Sequence, residues 1–506
     1  MVTVLLPTLV IVLGIADAVH FPTAFVNELR LAPDDRVGAL KAGLMKILVP
    51  CFMTTLTTMA GFLALSGAPM AAVRDLGIFA AIGVGAALLA SVILMVIAFM
   101  ALRDDVKLPE FTIINGWLAR IISVIEHRPW RVGLFSLILI ALTGYGALHL
   151  KADTYTLGYL PDDHGVVLDH HEIVDTWGDY FPLEYTVRPV DGVAVDSPKL
   201  LNAMEGFVEE ASRLNSIRNG LSLATVFRRS QQAFAPDSDL KQPFSGPLVS
   251  QLKILTGDPQ RAYEWDQEQP AYRDNVFAPL MNREGTLGRM TLVGEMTSAQ
   301  EAKTALNELD VIAQRHFADL AIVEPAGYPP LYVKIIDYVI ASQAQGFYIA
   351  LGLIFCLMLL WLRSFRLALI SLVVNVFPVT IMFGVMFFLG QTLDIASATI
   401  AAIVLGVSID DTIHFMAHWR KSEESNLSWS EAVAYTFEHA GRPAVITTLL
   451  LVAGFPILML AQVKTVFYFG LLTTIAAIAA LFADLFILPL LLRLFPARRD
   501  AYGGTV

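Results

Sequence analysis

Two adjacent carboxylates, Asp410 and Asp411, stand inside the stretch IASATIAAIVLGVSIDDTIHFMAHW, residues 395–419, with His414 one turn further on. The stretch is otherwise apolar and long enough to cross a bilayer, for which about 20 residues suffice. A carboxylate near the middle of a spanning helix costs about 2.5–3.5 kcal/mol. Chains keep such a group where it faces a polar interior and takes part in ion or proton movement. Asp410 and His414 are separated by an i,i+4 step and Asp411 and His414 by an i,i+3 step, so on a helix the imidazole reaches either carboxylate. Burial and a neighbouring imidazole together tune a carboxyl's proton affinity towards the working pH. The chemistry this pattern suits is reversible proton binding inside a membrane.

The same pattern occurs a second time. GIADAVHF at 14–21 matches SIDDTIHF at 408–415, which pairs Asp17 with Asp411 and His20 with His414. PCFMTTLTTMAGF at 50–62 matches PAVITTLLLVAGF at 443–455, and Gly77 then pairs with Gly470. The offset stays at 393–394 across three apolar runs. Chance similarity between apolar helices would not keep Asp, His, Pro, Thr-Thr and Gly-Phe in register, so the chain contains an internal repeat. Asp410 aligns with Ala16 and Asp484 with Ser91, so those two acids belong to the second copy alone. Asp484 is read as a packing or interhelical hydrogen-bonding residue. The candidate proton-carrying set is therefore Asp17, Asp410, Asp411, His20 and His414. Thr54, Thr55, Thr447 and Thr448 have the chemistry of hydrogen bonds between membrane helices. His20 and His414 are metal ligands by type, but no closed ligand set accompanies them in the sequence, and no metal is expected.

The elements that must position these residues are membrane helices. The 506-residue chain is 56% hydrophobic and 16% charged, which excludes an ordinary soluble globule. Apolar runs of spanning length lie at about 2–21, 47–66, 76–100, 131–149, 343–362, 366–389, 395–419, 444–463 and 466–495. The first run lacks a basic leader and a small-residue cleavage site, so it reads as a retained helix. Arg and Lys gather in alternate linkers, after the first, third, fifth, seventh and ninth runs. The positive-inside rule places those linkers and the C-terminus in the cytoplasm, and the segment between the fourth and fifth runs outside it. Residues 101–130 form a cytoplasmic or interfacial linker, with an amphipathic helix expected in 110–131. Both cysteines, Cys51 and Cys356, fall in apolar runs, which argues against a disulfide or a cysteine metal site.

The large soluble segment, 150–342, reads as mixed α/β. Strands are expected at Pro182–Val190, Gly288–Glu295 and Leu320–Val323 and helices at Pro198–Leu214 and Ser298–Phe317, with 231–275 as loops or a flap. The His- and acid-rich stretch 162–172 reads as a solvated loop. Between Leu150 and Ile340 there are 16 Lys/Arg against 28 Asp/Glu, so this segment carries the excess behind the net charge of −11. An acidic domain does not suit nucleic acid as a partner. No phosphate-binding Gly-rich loop, nucleophile elbow or HExxH motif occurs, so neither an enzyme nor ATP-driven work by this chain is expected.

These motifs resemble the resistance-nodulation-division (RND) superfamily, in its MMPL-like, Patched-like branch of hydrophobe and lipid exporters. LGVSIDDTIHF is the signature; residues 131–495 resemble a complete second half and residues 1–100 the last three helices of a first half. The resemblance implies a polytopic α-helical membrane protein of about nine helices with a parallel internal repeat and one α/β extracytoplasmic porter-type domain. Its parts would be 1–100 and 131–149 in the membrane, the porter domain at 150–342, a five-helix bundle at 343–495 and a cytoplasmic tail at 496–506. It further implies proton-driven export of lipid-like or drug-like molecules from a bacterial inner membrane, with the four threonines supporting the relay and protons as the coupling ion. The intramembrane lysine of the multidrug branch is missing from both signature helices, which leaves His20 and His414 as the alternatives. The partners implied are a hydrophobic or lipid-like substrate, membrane lipids, and either a second copy or a chain supplying the missing half. A periplasmic adaptor is also compatible. The chain reads as a fragment, a late start or one half of a split transporter. Two other functions stay open at this point: a sterol- or lipid-sensing regulator on the same helices, and a proton-driven accessory of protein translocation.

Overall fold

The computed structural model describes residues 6–32, 34–68, 70–101, 112–256, 279–282 and 284–496. In chain order the first elements are helices α1 (Leu6–Leu31), α2 (Arg36–Leu63), α3 (Ala71–Ala101), α4 (Thr112–His127) and α5 (Pro129–His149). There follow α6 (Gly165–Trp177), β1 (Phe181–Pro189), α7 (Pro198–Ala211), β2 (Ile217–Leu221), α8 (Leu223–Phe234), α9 (Gly246–Thr256), β3 (Gly288–Gly294), α10 (Ala299–Phe317) and β4 (Ala321–Ala326). The chain continues with α11 (Tyr328–Leu362), α12 (Phe365–Phe388), α13 (Ile395–Glu424), α14 (Trp429–Thr436), α15 (Arg442–Gly454), α16 (Lys464–Phe482) and α17 (Leu488–Leu494). These elements make two compact units, Met1–Ala152 with Tyr338–Val506, and Asp153–Asp337.

In the first unit, nine helical segments among the described residues are long and apolar enough to cross a membrane. The spans of α13 and α3 mark the extremes: 78% of one is buried and 17% of the other. A helix buried nearly all round is a core helix, so α13 is the axis of the bundle and α3 lies at its periphery. Its start is set by a capping box in which Asp394 accepts from the Ser397 backbone at 2.7 Å while Ser397 Oγ accepts from the Asp394 backbone at 2.9 Å. Helix α13 packs on α2, α12, α14 and α16, and α1 packs on α2, α3 and α15. Where α2 crosses α13, Gly61 meets Gly406, and Thr58 Oγ1 donates to the Gly406 carbonyl at 2.9 Å. Small residues at such a crossing let two backbones approach, which is how membrane helices associate without a hydrophobic drive. At the α5–α12 crossing a Cβ on Gly384 would lie 2.4 Å from Thr143 Cβ, so only glycine fits.

Two glycines hold the same kind of position in different parts of this unit. A Cβ on Gly77 would stand 2.6 Å from the Phe62 carbonyl oxygen and 2.8 Å from Leu65 Cβ. One on Gly470 would stand 2.7 Å from the Phe455 carbonyl oxygen and 3.0 Å from Leu458 Cβ. Each glycine seats its helix against a 3₁₀ turn, Ala64–Gly67 in one case and Phe455–Leu460 in the other.

The second unit is a four-stranded antiparallel sheet in the order β2-β3-β1-β4. Alternate residues Leu183, Tyr185 and Val187 of β1, with Met290 and Leu292 of β3, form a buried face against α7 and α10. The three strands expected from alternation are present, and β2 is an addition. It is short and bulged between Ile217 and Asn219, and only Ile217 of its five residues is buried, so it has no alternation to read. Two expectations are corrected. The stretch beginning at His164 is helix α6, N-capped by the His164 ring accepting from the Val166 backbone at 3.2 Å, and not a loop. Part of 231–275 is helical too, in the end of α8 and in α9; residues 257–275 lie outside the described residues.

Candidate functional site

Successive residues on a helix point about 100° apart, and this separates the two adjacent carboxylates of α13. Asp410 turns towards α1, where the closest ligating atoms of His20, Asp410 and His414 all lie within 4.8 Å of one another. His414 Nε2 stands 3.8 Å from Asp410 Oδ1 and 3.9 Å from Cys51 Sγ of α2. The rings of His20 and His414 stack with centroids 3.7 Å apart and planes 8° from parallel. Both histidines are buried, at 4% and 2% exposure, and His20 Nε2 has no hydrogen-bond partner among the described residues.

Asp411 turns towards α15. Thr447 Oγ1 donates to its carboxylate at 3.2 Å, sharing one hydroxyl proton with the Ala444 carbonyl at 2.9 Å. A cavity of about 20 Å³, room for one water, adjoins Asp411 and is lined by Ser408, Thr448 and Thr473 among others. The next residue along the helix, Thr412, points a third way. Its hydroxyl donates to Asp484 Oδ1 at 2.6 Å and accepts from Asn375 Nδ2 at 3.2 Å. Asp484 is the second residue of a π-helical turn, Ala483–Ile487, a distortion that commonly marks a functional position. Asp484 Oδ2 and Asn375 Oδ1 are buried acceptors with no donor among the described residues.

The cluster His20, Asp410 and His414 has the ligand types of a transition-metal site, but its geometry does not suit one. A metal lies in the plane of each imidazole that binds it, and two rings stacked at 8° share no such plane. A stacked pair in an apolar setting suits a single proton instead, since two imidazolium charges in contact repel and lose their solvation.

Of the other residues singled out by the sequence, Asp17 lies on α1, with its side chain outside the described residues. Thr54 Oγ1 donates to the Cys51 carbonyl at 2.9 Å, and Thr55 Oγ1 has no partner among the described residues. Thr448 lines the small cavity beside Asp411. Sequence reasoning missed the interlock of Thr412 and Asn375, and it missed His418 and His439. The available signal was weak: an asparagine in an apolar helix, and a histidine four residues after His414.

The MMPL family model matches residues 224–501, more than half of the chain. The chain belongs to the MMPL family. That family falls within the RND superfamily of membrane transporters, a class without enzymatic activity. A protein of Methanocaldococcus jannaschii, named as a putative membrane protein, is 23% identical to this MMPL-family chain over 385 residues. The alignment covers 74% of the chain and 93% of that relative. Among solved structures, the hedgehog release protein Disp of the water bear Hypsibius dujardini has a TM-score of 0.64 at 16% identity. The likeness covers 96% of this chain and 62% of Disp, so the chain spans less than two thirds of that structure's length, and it is a likeness of fold.

Proposed function

We propose that this chain exports hydrophobic or amphiphilic molecules, lipid-like or drug-like, from a bacterial inner membrane, driven by the proton-motive force. The observation that carries the reading is a part-buried carboxylate, Asp411, held at the axis of an apolar bundle, with a shared threonine proton as its only donor among the described residues. A group with that little solvation changes its hydrogen-bonding and packing when it gains or loses a proton. Asp17, Asp410, His20 and His414 complete the relay, and Thr54, Thr55, Thr447 and Thr448 support it. The basic linkers favour a cytoplasmic C-terminus and a periplasmic α/β unit. Protonation of the bundle would then be coupled to movement of cargo at the α/β unit.

The two helix trios, α1–α2–α3 and α13–α15–α16, are proposed to be parallel copies about an axis along the membrane normal. The matched seats of Gly77 and Gly470 favour this, as does the stacking of the paired residues His20 and His414 on each other. The crossed packing of α1 on α15 and of α2 on α13 favours it as well.

The test is proton-coupled flux in proteoliposomes under a pH gradient alone. Asp411→Asn keeps shape and hydrogen bonding but cannot ionise, and is expected to insert normally and carry no proton flux. Wild-type flux in that variant would refute the reading.

A further inference from the structure

At one end of the bundle a cavity of about 160 Å³ opens between α1, α2, α13 and the π-helical turn Phe437–Gly441. Four of the chain's ten histidines line it: His20, His414, His418 and His439. At its outer end Lys46 pairs with Glu28, and the lysine side chain is 53% exposed. At its inner end lie His20 and His414, both almost fully buried. The cavity therefore runs from water to the stacked imidazoles. It is polar and large enough for several waters.

The side chains along it are spaced for proton transfer. Asp410, His414 and His418 fall at i, i+4 and i+8, which puts them on one face of α13. His418 and His439 have ring centroids 5.2 Å apart, and Tyr435 lies 4.3 Å from His439. His439 Nδ1 lies 2.8 Å from the Tyr435 carbonyl oxygen, which only accepts, so Nδ1 carries the hydrogen and Nε2 keeps its lone pair. Each imidazole takes a proton on one ring nitrogen and gives one from the other, which makes neutral histidines good carriers. The remaining charged groups at the wall, Lys46, Glu28 and Lys421, lie towards the outer end.

We propose that this cavity is the route by which protons leave the relay, and that His418 and His439 are proton-carrying residues of it. The proposal rests on the proton-coupling reading above, in which the linkers beside the Lys46–Glu28 mouth face the cytoplasm, the side towards which the proton-motive force drives protons. A proton held on the Asp410 carboxylic acid passes to His414 and through cavity water to His418 or His439. It leaves to water at the Lys46–Glu28 mouth. Each imidazole gains and loses one proton, so none is changed over the cycle, and the carboxylic acid returns to a carboxylate.

The experiment compares wild type, Asp411→Asn and the double variant His418→Ala/His439→Ala in proteoliposomes, by proton uptake under an imposed pH gradient. The double variant is expected to lose about 100-fold in rate and to recover when imidazole, small enough for the vacated space, is added. An unaltered rate, or a loss that imidazole does not reverse, overturns the exit route. If Asp411→Asn is inactive in the same experiment, the coupling reading survives that failure; if Asp411→Asn has wild-type uptake, the coupling reading itself is wrong. Should the double variant fail to fold, Ala417→Cys, in the cavity wall, gives a second measurement on a Cys356→Ser background. Modification by a small water-borne methanethiosulfonate is expected, and a cysteine that stays unmodified overturns the route.

Discussion

The trio α1–α2–α3 and the trio α13–α15–α16 carry Asp, His, Pro, Thr-Thr, Gly-Phe and Gly in the same order, yet their polar interiors differ. Ala16 and Ser91 of the first stand where the second has Asp410 and Asp484. Ser91 Oγ donates to the Gly14 carbonyl at 3.2 Å, a neutral hydrogen bond between helices. The matching helices of the second trio are joined by Thr412 and Asp484, an ionisable bond at 2.6 Å. The span of α13 is 78% buried and that of α1 31%. The shared glycines govern how closely backbones approach, and the positions that differ add two acids to the second trio alone. Across the contact with the second trio, the first supplies His20.

The comparison is most severely tested at the paired acids. Asp411→Asn and Asp17→Asn should each abolish proton-driven flux, by about 100-fold or more. Normal flux in Asp17→Asn with none in Asp411→Asn would confine coupling to the second trio. Next in size is backbone seating. Gly77→Val and Gly470→Val each force a side chain into a carbonyl oxygen under 3 Å away. Each should destabilise by about 1–3 kcal/mol, read as a lower melting temperature in detergent. Markedly unequal losses would break the equivalence of the two seats.

Exchange of the differing residues should give smaller and opposite effects. Ser91→Asp places a carboxylate beside the Gly14 carbonyl of α1, a helix in which Ala18 stands where the second trio has Thr412 and offers no hydroxyl. The stability cost should be about 1–3 kcal/mol. Asp484→Asn should leave the melting temperature nearly unchanged and lower flux, because it keeps an acceptor for Thr412 while removing the charge. A large drop in melting temperature with unchanged flux would make Asp484 a packing residue after all.

The smallest effect is expected in the α/β unit and serves as a control on the bundle. Burial alone would raise the pKa of Glu184, but hydrogen bonds from Arg289 and Thr291 and the Arg289 charge outweigh it and lower it. Its contribution is therefore fully present above the ordinary glutamate value near 4.3. It is lost as pH falls through the lower folded value. Amide-exchange protection in β1 and β3 of the full chain, taken relative to the intrinsic exchange rate at each pH, should stay constant near neutral pH and fall only in acid. An earlier fall would mean that pH changes in flux cannot be assigned to the bundle.

Much of this organisation was legible in the sequence because it depends on local or duplicated signals. Spanning helices follow from runs of apolar residues, since each backbone group is satisfied within its own helix. The acids stood out because a carboxylate in such a run is costly. The repeat was visible because register survives when each residue's neighbours do. Strands with clean alternation were equally readable, whereas β2 and α6 were not, the first for lack of alternation and the second because its polar face looked like a loop.

What the tertiary structure alone decided is how three consecutive residues divide their partners. Asp410, Asp411 and Thr412 are adjacent in the chain, but helical geometry sends them to α1, α15 and the π-turn after α16, respectively. Those partners are fixed by how helices cross, and the crossings are fixed by glycines such as Gly61, Gly406 and Gly470, far away in sequence. The stacking of His20 on His414 belongs to the same class. Residue type and spacing determined which ionisable groups the bundle contains, and packing between distant segments determined which of them meet.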